Sequence, residues 1–428
     1  MASSPPQDFD LIKAAEALLA GAKKLPAVSF SYSSPTTTET DAMRRQIAMT
    51  AKKIASEVAP AIDVVKSDWP VLADAAAWNI FMEWKVFDHI PLPNINPNGI
   101  SFADLSKAVN AQESLIARIA GLLIATGKLR SVVGHPENVT HSRISPLYRS
   151  SHPASALAAV AFGNGMRPYA QWASYFAQYG RREPTSVNHT PFSFSWGHPD
   201  LSPWEIKALY PEYGSNFARS MKSRQIVGGD MKLTGPEALY DFSWVGQEAG
   251  KRKGEKVVVD VGGGLGQLLR DVVSSVEGVD ANQCVLQDRS EVIDEAREAA
   301  AAGDEVMKDV VMMEHDFHTE QPVKGATVYL LRRILLDYPD EMATGILRRL
   351  AEAIPEDNHK ARVIIMEERL LEMPTPMNRI VDMVMLNIGG KLRNEKTFGE
   401  IASAAGLKLA GYYAREGDQT CVVECARA

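Results

Sequence analysis

Residues 257–272 read VVVDVGGGLGQLLRDV, and this stretch decides the fold. An apolar, β-branched run suited to a strand buried on both faces passes directly into glycines and then into a helix-forming segment. Glycines at such a junction let the backbone approach a ligand closely at the helix N-terminus, where unpaired N–H groups are available. A dinucleotide fingerprint needs Gly or Ala where Gln267 stands. Gly262, Gly264 and Gly266 instead form a GxGxG pattern, which favours S-adenosylmethionine over NAD. An acidic residue about 20 positions further on, at the end of the next strand, is the expected partner of the ribose hydroxyls. Asp288 in CVLQDRSEVI holds that place.

Downstream of Lys256 the apolar runs VVVDV, CVLQD, ATVYLL and RVIIM alternate with helical segments, the pattern of a parallel sheet with helices on both faces. Upstream the texture differs. Residues 1–40 lead into the polar run SYSSPTTTETD and read as an extension with one short apolar helix. Over 43–65 and 71–87 apolar residues recur at helical spacing, with Trp78, Phe81, Met82 and Trp84 on overlapping faces. The segment ISFADLSKAVNAQESLIARIAGLLIATGKL, 100–129, predicts a capped helix, a turn and a second helix in a winged helix-turn-helix pattern. Its second helix offers only Arg118 as a basic residue between Glu113 and Gly121, so dimerisation is expected rather than DNA reading.

Residues 150–245 are rich in aromatics, and breaks at Pro184, Pro191, Gly197 and Pro203 predict a lining loop there. The expected architecture is α/β. A Rossmann-like S-adenosylmethionine-binding domain, 156–428, follows an extension, 1–40, and an all-helical, winged-helix-like dimerisation domain, 41–155.

Composition narrows the partners. With 428 residues the chain is long enough for two cores, and 45% apolar against 23% charged residues describes a folded protein. A net charge of −7 gives no electrostatic reason to bind nucleic acid or an anionic membrane, so a small molecule is the expected partner. Cys284, Cys421 and Cys425 fit no metal pattern and read as reduced thiols, and the opening MASSPPQDFD has no signal-peptide character. A soluble, cytoplasmic protein is expected, without metal.

The pieces VDVGGGLG, QDRSEVI, EHDFHTEQP, VYLLRRILLDYPD, VIIMEERLL and DMVMLNIGGK, followed by AAGLKLAGYY, together resemble the class I O-methyltransferases of plant caffeate type and their fungal relatives. The resemblance implies that Asp316 and Phe317 flank the adenine, with Arg289 beside Asp288. It also puts Arg332 where the family carries a basic residue near the cofactor, and it implies a homodimer. It further implies that Met383 and Asn387 line the substrate pocket.

One departure is chemical. Where the family has a histidine that deprotonates the substrate hydroxyl, ILLDYPD places Leu336, directly before Asp337. General-base catalysis of this kind is worth about 10²- to 10⁴-fold, and an aliphatic side chain cannot supply it. Of two glutamates that brace the histidine, Glu367 keeps the first, whereas GGKLR puts Leu392 at the second. Retained cofactor elements without a base are similar to the fungal S-adenosylmethionine-dependent pericyclases of the leporin type. In these the sulfonium acts as a fixed charge while an alcohol is dehydrated to a quinone methide that cyclises by an Alder-ene or hetero-Diels-Alder route.

On that expectation Leu336 is a pocket wall, Asp337 an acceptor or base, Arg333 a carbonyl clamp, and His152 or Thr234 a donor. Two alternatives stand beside it: O-methyl transfer to a phenolic or polyketide-derived substrate, and a non-catalytic partner of a methyltransferase.

Overall fold

In the computed structural model, which describes residues 9–25, 38–227, 232–373 and 375–428, the helical periodicity over 43–65 is realised as two helices rather than one. Helix Thr38–Val58 ends before Pro60, and Ala61–Ser67 starts after it. Proline has no N–H to continue the hydrogen-bond ladder and its ring crowds the preceding turn, so the break falls there. Part of the expected extension, residues 1–8 and 26–37, lies outside the described residues; helix Leu11–Lys24 supplies its apolar helix.

The chain divides into two compact units, Met1–Ala159 and Val160–Ala428. In the first, helix Trp69–Glu83 buries Trp78 and Phe81, and Trp78 stacks on Tyr148 at 5.6 Å. Helices Phe102–Ala108 and Glu113–Ala125 follow, the former capped by Ser101, whose hydroxyl accepts from Asp104 N at 3.1 Å. Strand β1, Ile100–Ser101, and the hairpin of β2, Leu129–Val132, and β3, His135–His141, form a sheet in the order β1-β3-β2 beside them. Leu105, Ile116, Ala120 and Leu123 are buried between these elements, while Arg118 is exposed.

The second unit contains β4 (Val258–Val261), β5 (Cys284–Asp288), β6 (Val311–Glu314), β7 (Val328–Arg332), β8 (Arg362–Glu368), β9 (Leu407–Tyr413) and β10 (Thr420–Arg427). They form one sheet in the order β6-β5-β4-β7-β8-β10-β9. β4 to β8 run parallel, and β10 is antiparallel to both its neighbours. Alternate residues serve opposite layers. Val259, Val261, Tyr329, Leu331, Val363 and Ile365 pack with helices Asp340–Ala353 and Glu395–Ala404. Val258, Leu286, Val328, Leu330 and Ile364 pack with Ser243–Lys251, Gln267–Ser275 and Ser290–Ala301. Burial on both faces is why these strands read as continuous apolar runs.

Strand order reverses direction between β4 and β7, and the crevice beyond the carboxyl ends of strands at such a point is where ligands bind in open α/β sheets. Cys284, Cys421 and Cys425 are buried free thiols. No single helix among the described residues is long and apolar enough to cross a membrane.

Candidate functional site

At the reversal, β4 feeds the glycine loop. Gly262, Gly264 and Gly266 all adopt positive φ, 71°, 60° and 80°, a region that a side chain opposes, and Gly266 starts helix Gln267–Ser275. The N–H groups of Gly262 and Gly263 donate to Gln287 O at 2.8 and 3.1 Å, which ties the loop to the end of β5. A Cβ at Gly262 would stand 2.6 Å from Ile334 Cδ1 and 3.3 Å from Phe317 Cε1. The loop, the Phe317 ring and the turn after β7 therefore converge on one small space. Phe317 meets Tyr338 edge-on at 5.9 Å, while Asp316 is exposed and accepts from His318 N at 3.0 Å.

Asp288 closes β5 with its Oδ2 accepting from Gly264 N at 2.9 Å and its Oδ1 from Arg289 N at 2.8 Å. Each carboxylate oxygen keeps a second lone-pair direction, so a pair of ribose hydroxyls can still be bound. Burial holds the Asp288 carboxyl above its ordinary pKa, against the pull of those two N–H groups and of Arg289. Arg289 itself is exposed, pairs with Glu291 at 3.0 Å, and lies 5.7 Å from the Trp204 ring.

Sequence reasoning missed Asp260. It sits inside β4, fully buried, and neither carboxylate oxygen has a hydrogen-bond partner among the described residues. Burial pushes it up to about 7, opposed by the Arg332 charge and reinforced by Asp288. A Cβ at Gly263 would fall 2.5 Å from its Oδ2, so the glycine loop wraps directly over the carboxylate. The available signal was a lone acid in an otherwise apolar, doubly buried run.

Two carboxylates flanking a glycine loop fit a cofactor that carries a diol and a positive charge, and they oppose a pyrophosphate. S-adenosylmethionine matches that chemistry. Arg332, at the end of β7, is half-buried and held below its ordinary pKa by burial and by the neighbouring Arg333.

Arg333 turns the chain at φ 57°, strained for a side-chain-bearing residue, and its N–H donates to Met366 O at 3.0 Å. The turn that follows is gripped from two sides. Glu367 Oε1 accepts from Ile334 N at 2.9 Å and Leu335 N at 2.8 Å. The buried Arg393, the last residue of GGKLR, donates to Leu335 O at 2.7 Å and Tyr338 O at 2.8 Å. Glu367 thus braces backbone rather than an imidazole. Burial and the Asp337 charge push it up to about 8, and its Oε2 has no partner among the described residues.

Leu336 and Leu392 lie together in one apolar cluster with Phe192, Ile206, Tyr213, Met385 and Ile388. Trp196 borders this cluster, 4.7 Å from the Tyr210 ring and 4.8 Å from that of Tyr213, and its Nε1 is buried without a partner among the described residues. Asp337 is half-buried beside it.

Two expected site residues stand elsewhere or are otherwise engaged. Thr234 Oγ1 reaches Ser275 O at 3.5 Å, at the far end of helix Gln267–Ser275, about 13 Å along the helix from the glycine loop. It is therefore not a donor to this site. Asn387 is fully buried with its amide committed to scaffold: Oδ1 accepts from Trp172 Nε1 at 2.7 Å and Nδ2 donates to Asn164 O at 2.8 Å. Asn164 belongs to a π-helical turn, Phe162–Met166, so the amide pins an irregular segment rather than facing a pocket. His152 lies in the first unit, where its Nδ1 accepts from Ala154 N at 3.1 Å at the start of helix Pro153–Ala161. Met383 is half-buried on helix Pro376–Ile388.

The sheet order, the glycine loop after β4 and the carboxylate ending β5 define a Rossmann-like domain of the S-adenosylmethionine-binding class. The chain belongs to the O-methyltransferase family, whose domain model matches residues 181–408. It is 36% identical over 391 residues to the methyltransferase cfoD of Aspergillus candidus, covering 90% of this chain and 92% of that one. Among solved structures, OxaC in complex with SAH and oxaline is similar with a TM-score of 0.77 at 20% identity, covering 98% of this chain and 99% of that one. LepI in complex with SAM, a pericyclic reaction enzyme, is similar with a TM-score of 0.71 at 20% identity and the same coverage. At that identity the two structures show a shared fold.

Proposed function

We propose that this protein transfers the methyl group of S-adenosylmethionine to a nucleophilic heteroatom of a phenolic or polyketide-derived small molecule, as a homodimer. The observation that carries this reading is the 36% identity, over nearly the full length of both chains, to a protein named a methyltransferase. The cofactor supplies an electrophilic methyl group on a cationic sulfur.

The chain's own residues provide the rest. Asp288 and the N–H groups of the glycine loop bind and orient, and the buried Asp260 carboxyl, raised to about 7 by burial, is favoured in its ionised form when a cationic ligand lies over the loop. The turn of 333–338, fixed by Glu367 and Arg393, holds Leu336 against an aromatic and apolar wall of Phe192, Trp196 and Tyr213 that excludes water. A flat, largely apolar acceptor suits that wall, with Trp196 Nε1, which has no partner among the described residues, placed to donate to its oxygen. The homodimer is supported by apolar side chains exposed around helices Ala61–Ser67 and Trp69–Glu83: Ile62, Val65, Trp69, Val71 and Leu72.

A second reading is favoured by one observation. Leu336 and Leu392 leave no imidazole on the turn and keep its surroundings apolar, which suits a pericyclase that uses the sulfonium as charge alone. Incubation with methyl-labelled cofactor, phenolic acceptors and dehydratable alcohols separates the two. Labelled product with one equivalent of S-adenosylhomocysteine supports transfer. A cyclised product that requires the cofactor without consuming it replaces transfer with pericyclase chemistry. Cofactor binding without either product points to a non-catalytic partner.

A further inference from the structure

Leu336 removes the proton acceptor from the turn after β7, and a titratable group from a different element stands next to that turn. Helix Pro203–Leu209 begins with a reciprocal cap: Ser202 N donates to Glu205 Oε2 at 2.8 Å, and Glu205 N to Ser202 Oγ at 3.3 Å. The cap fixes the helix start, so that Trp204 and Lys207, three residues apart, share one face. Ile206 from the same helix packs in the cluster of Leu336 and Leu392.

Lys207 Nζ lies 3.8 Å from the centre of the Trp204 ring and 3.4 Å from that of Phe217, on helix Pro211–Val227. These contacts are with rings. The charged groups that act on it are Asp337, which favours the ammonium, and Arg289, which opposes it.

An ordinary surface lysine extends its ammonium into water along its apolar stem. Here the amine lies against two rings, and the Asp337 carboxylate from the turn favours its charged form. Burial drives its pKa down towards neutrality. Lysine in such a setting is suited to general-base work, whereas arginine stays charged.

We propose that Lys207 is the proton acceptor of this site, supplying from helix Pro203–Leu209 the function that Leu336 cannot perform. The proposal rests on the methyl-transfer reading. The neutral amine takes the proton from the O–H or N–H of the acceptor as that heteroatom gains the methyl carbon and the sulfur keeps the electron pair of the broken C–S bond. Asp337 then faces the new ammonium until the proton passes to solvent.

The test compares wild type, Lys207→Met and Lys207→Arg in three measurements: cofactor affinity by calorimetry, methyl-transfer rate against pH, and ¹³C NMR titration of the lysine ε-carbons. The Lys207 resonance is assigned by its loss in the variants. Wild type should show an inflection near neutrality in both the rate and the Lys207 resonance. Both variants should bind S-adenosylmethionine within about threefold of wild type and lose about 10²- to 10⁴-fold in kcat at pH 7.

A Lys207 that titrates near the ordinary value of about 10.4, or a Lys207→Arg enzyme with wild-type turnover, overturns the proposal and leaves methyl transfer standing. A wild type that moves no methyl group overturns the transfer reading and the base role with it.

Discussion

Glu367 offers the sharpest test of how the turn beside the cofactor site is held. Its Oε1 accepts two backbone N–H groups, from Ile334 and Leu335, while Oε2 has no partner among the described residues. Its pKa in the folded chain, about 8, lies above the ordinary 4.5, so the native state binds this proton more tightly than the unfolded state does. Stability should therefore be highest below about pH 4.5, with respect to this group, and decline as pH rises towards 8, beyond which the folded chain carries a buried charge. At about 1.4 kcal/mol for each pH unit, the decline has an upper bound of about 5 kcal/mol.

Glu367→Gln keeps a carbonyl oxygen for both N–H groups and removes the titration. It should match wild type near pH 5, show no decline through that window, and be the more stable protein at pH 8.5. Glu367→Leu leaves two donors without an acceptor, each costing about 1–3 kcal/mol, and should lose about 2–6 kcal/mol at pH 6. Urea unfolding at pH 5.5, 7 and 8.5, with hydrogen exchange of a peptide spanning 332–338, reads both effects. A Gln variant with the wild-type pH slope would refute the buried-acid account. A Leu variant with unchanged protection at Ile334 and Leu335 would refute the bracing role.

Two further outcomes are expected. Asp288→Ala should weaken S-adenosylmethionine binding about 10- to 100-fold by calorimetry, because the ribose hydroxyls lose a charged acceptor and Gly264 N loses its partner; unchanged affinity would remove Asp288 from the site. Light scattering at micromolar concentration should give a dimer, and replacing both Trp69 and Ile62 by Asp should shift it towards monomer; a wild-type monomer would leave those exposed apolar side chains without a role.

The parts of the fold legible in the sequence were those written locally. VVVDVGGGLG declares strand, turn and helix within a dozen residues, because doubly buried strands must be apolar and the loop's positive φ values require glycine. Asp288 was found by its spacing alone. The break at Pro60 was missed because hydrophobic periodicity continues across it although the hydrogen-bond ladder cannot. Asn387 misled for the opposite reason: its partners Trp172 and Asn164 are more than 200 residues away, and no local pattern shows that the amide is already committed. Thr234 carried no spacing signal and proved to bond at the far end of helix Gln267–Ser275, away from the glycine loop.

The same limit governs the apparent loss of chemistry at Leu336. A sequence reading compares one position with its counterpart and records a missing base. A proton, however, requires only an acceptor at the right place, and the fold can bring one from any element that reaches the turn. PWEIKAL gives no sign of this, since Lys207 in isolation is an ordinary helix lysine. Its character arises only when Phe217 closes over it and Asp337 arrives from the end of β7, more than a hundred residues along the chain. The turn itself keeps its two backbone clamps, Glu367 and Arg393, so the stage on which proton transfer occurs is preserved although the imidazole is gone. Leu336 then contributes by being apolar: it packs with Leu392 and with Ile206 from the lysine's own helix, and burial disfavours the ammonium form of Lys207. A leucine at this position and a proton-accepting lysine one helix away are, on this account, two halves of one arrangement.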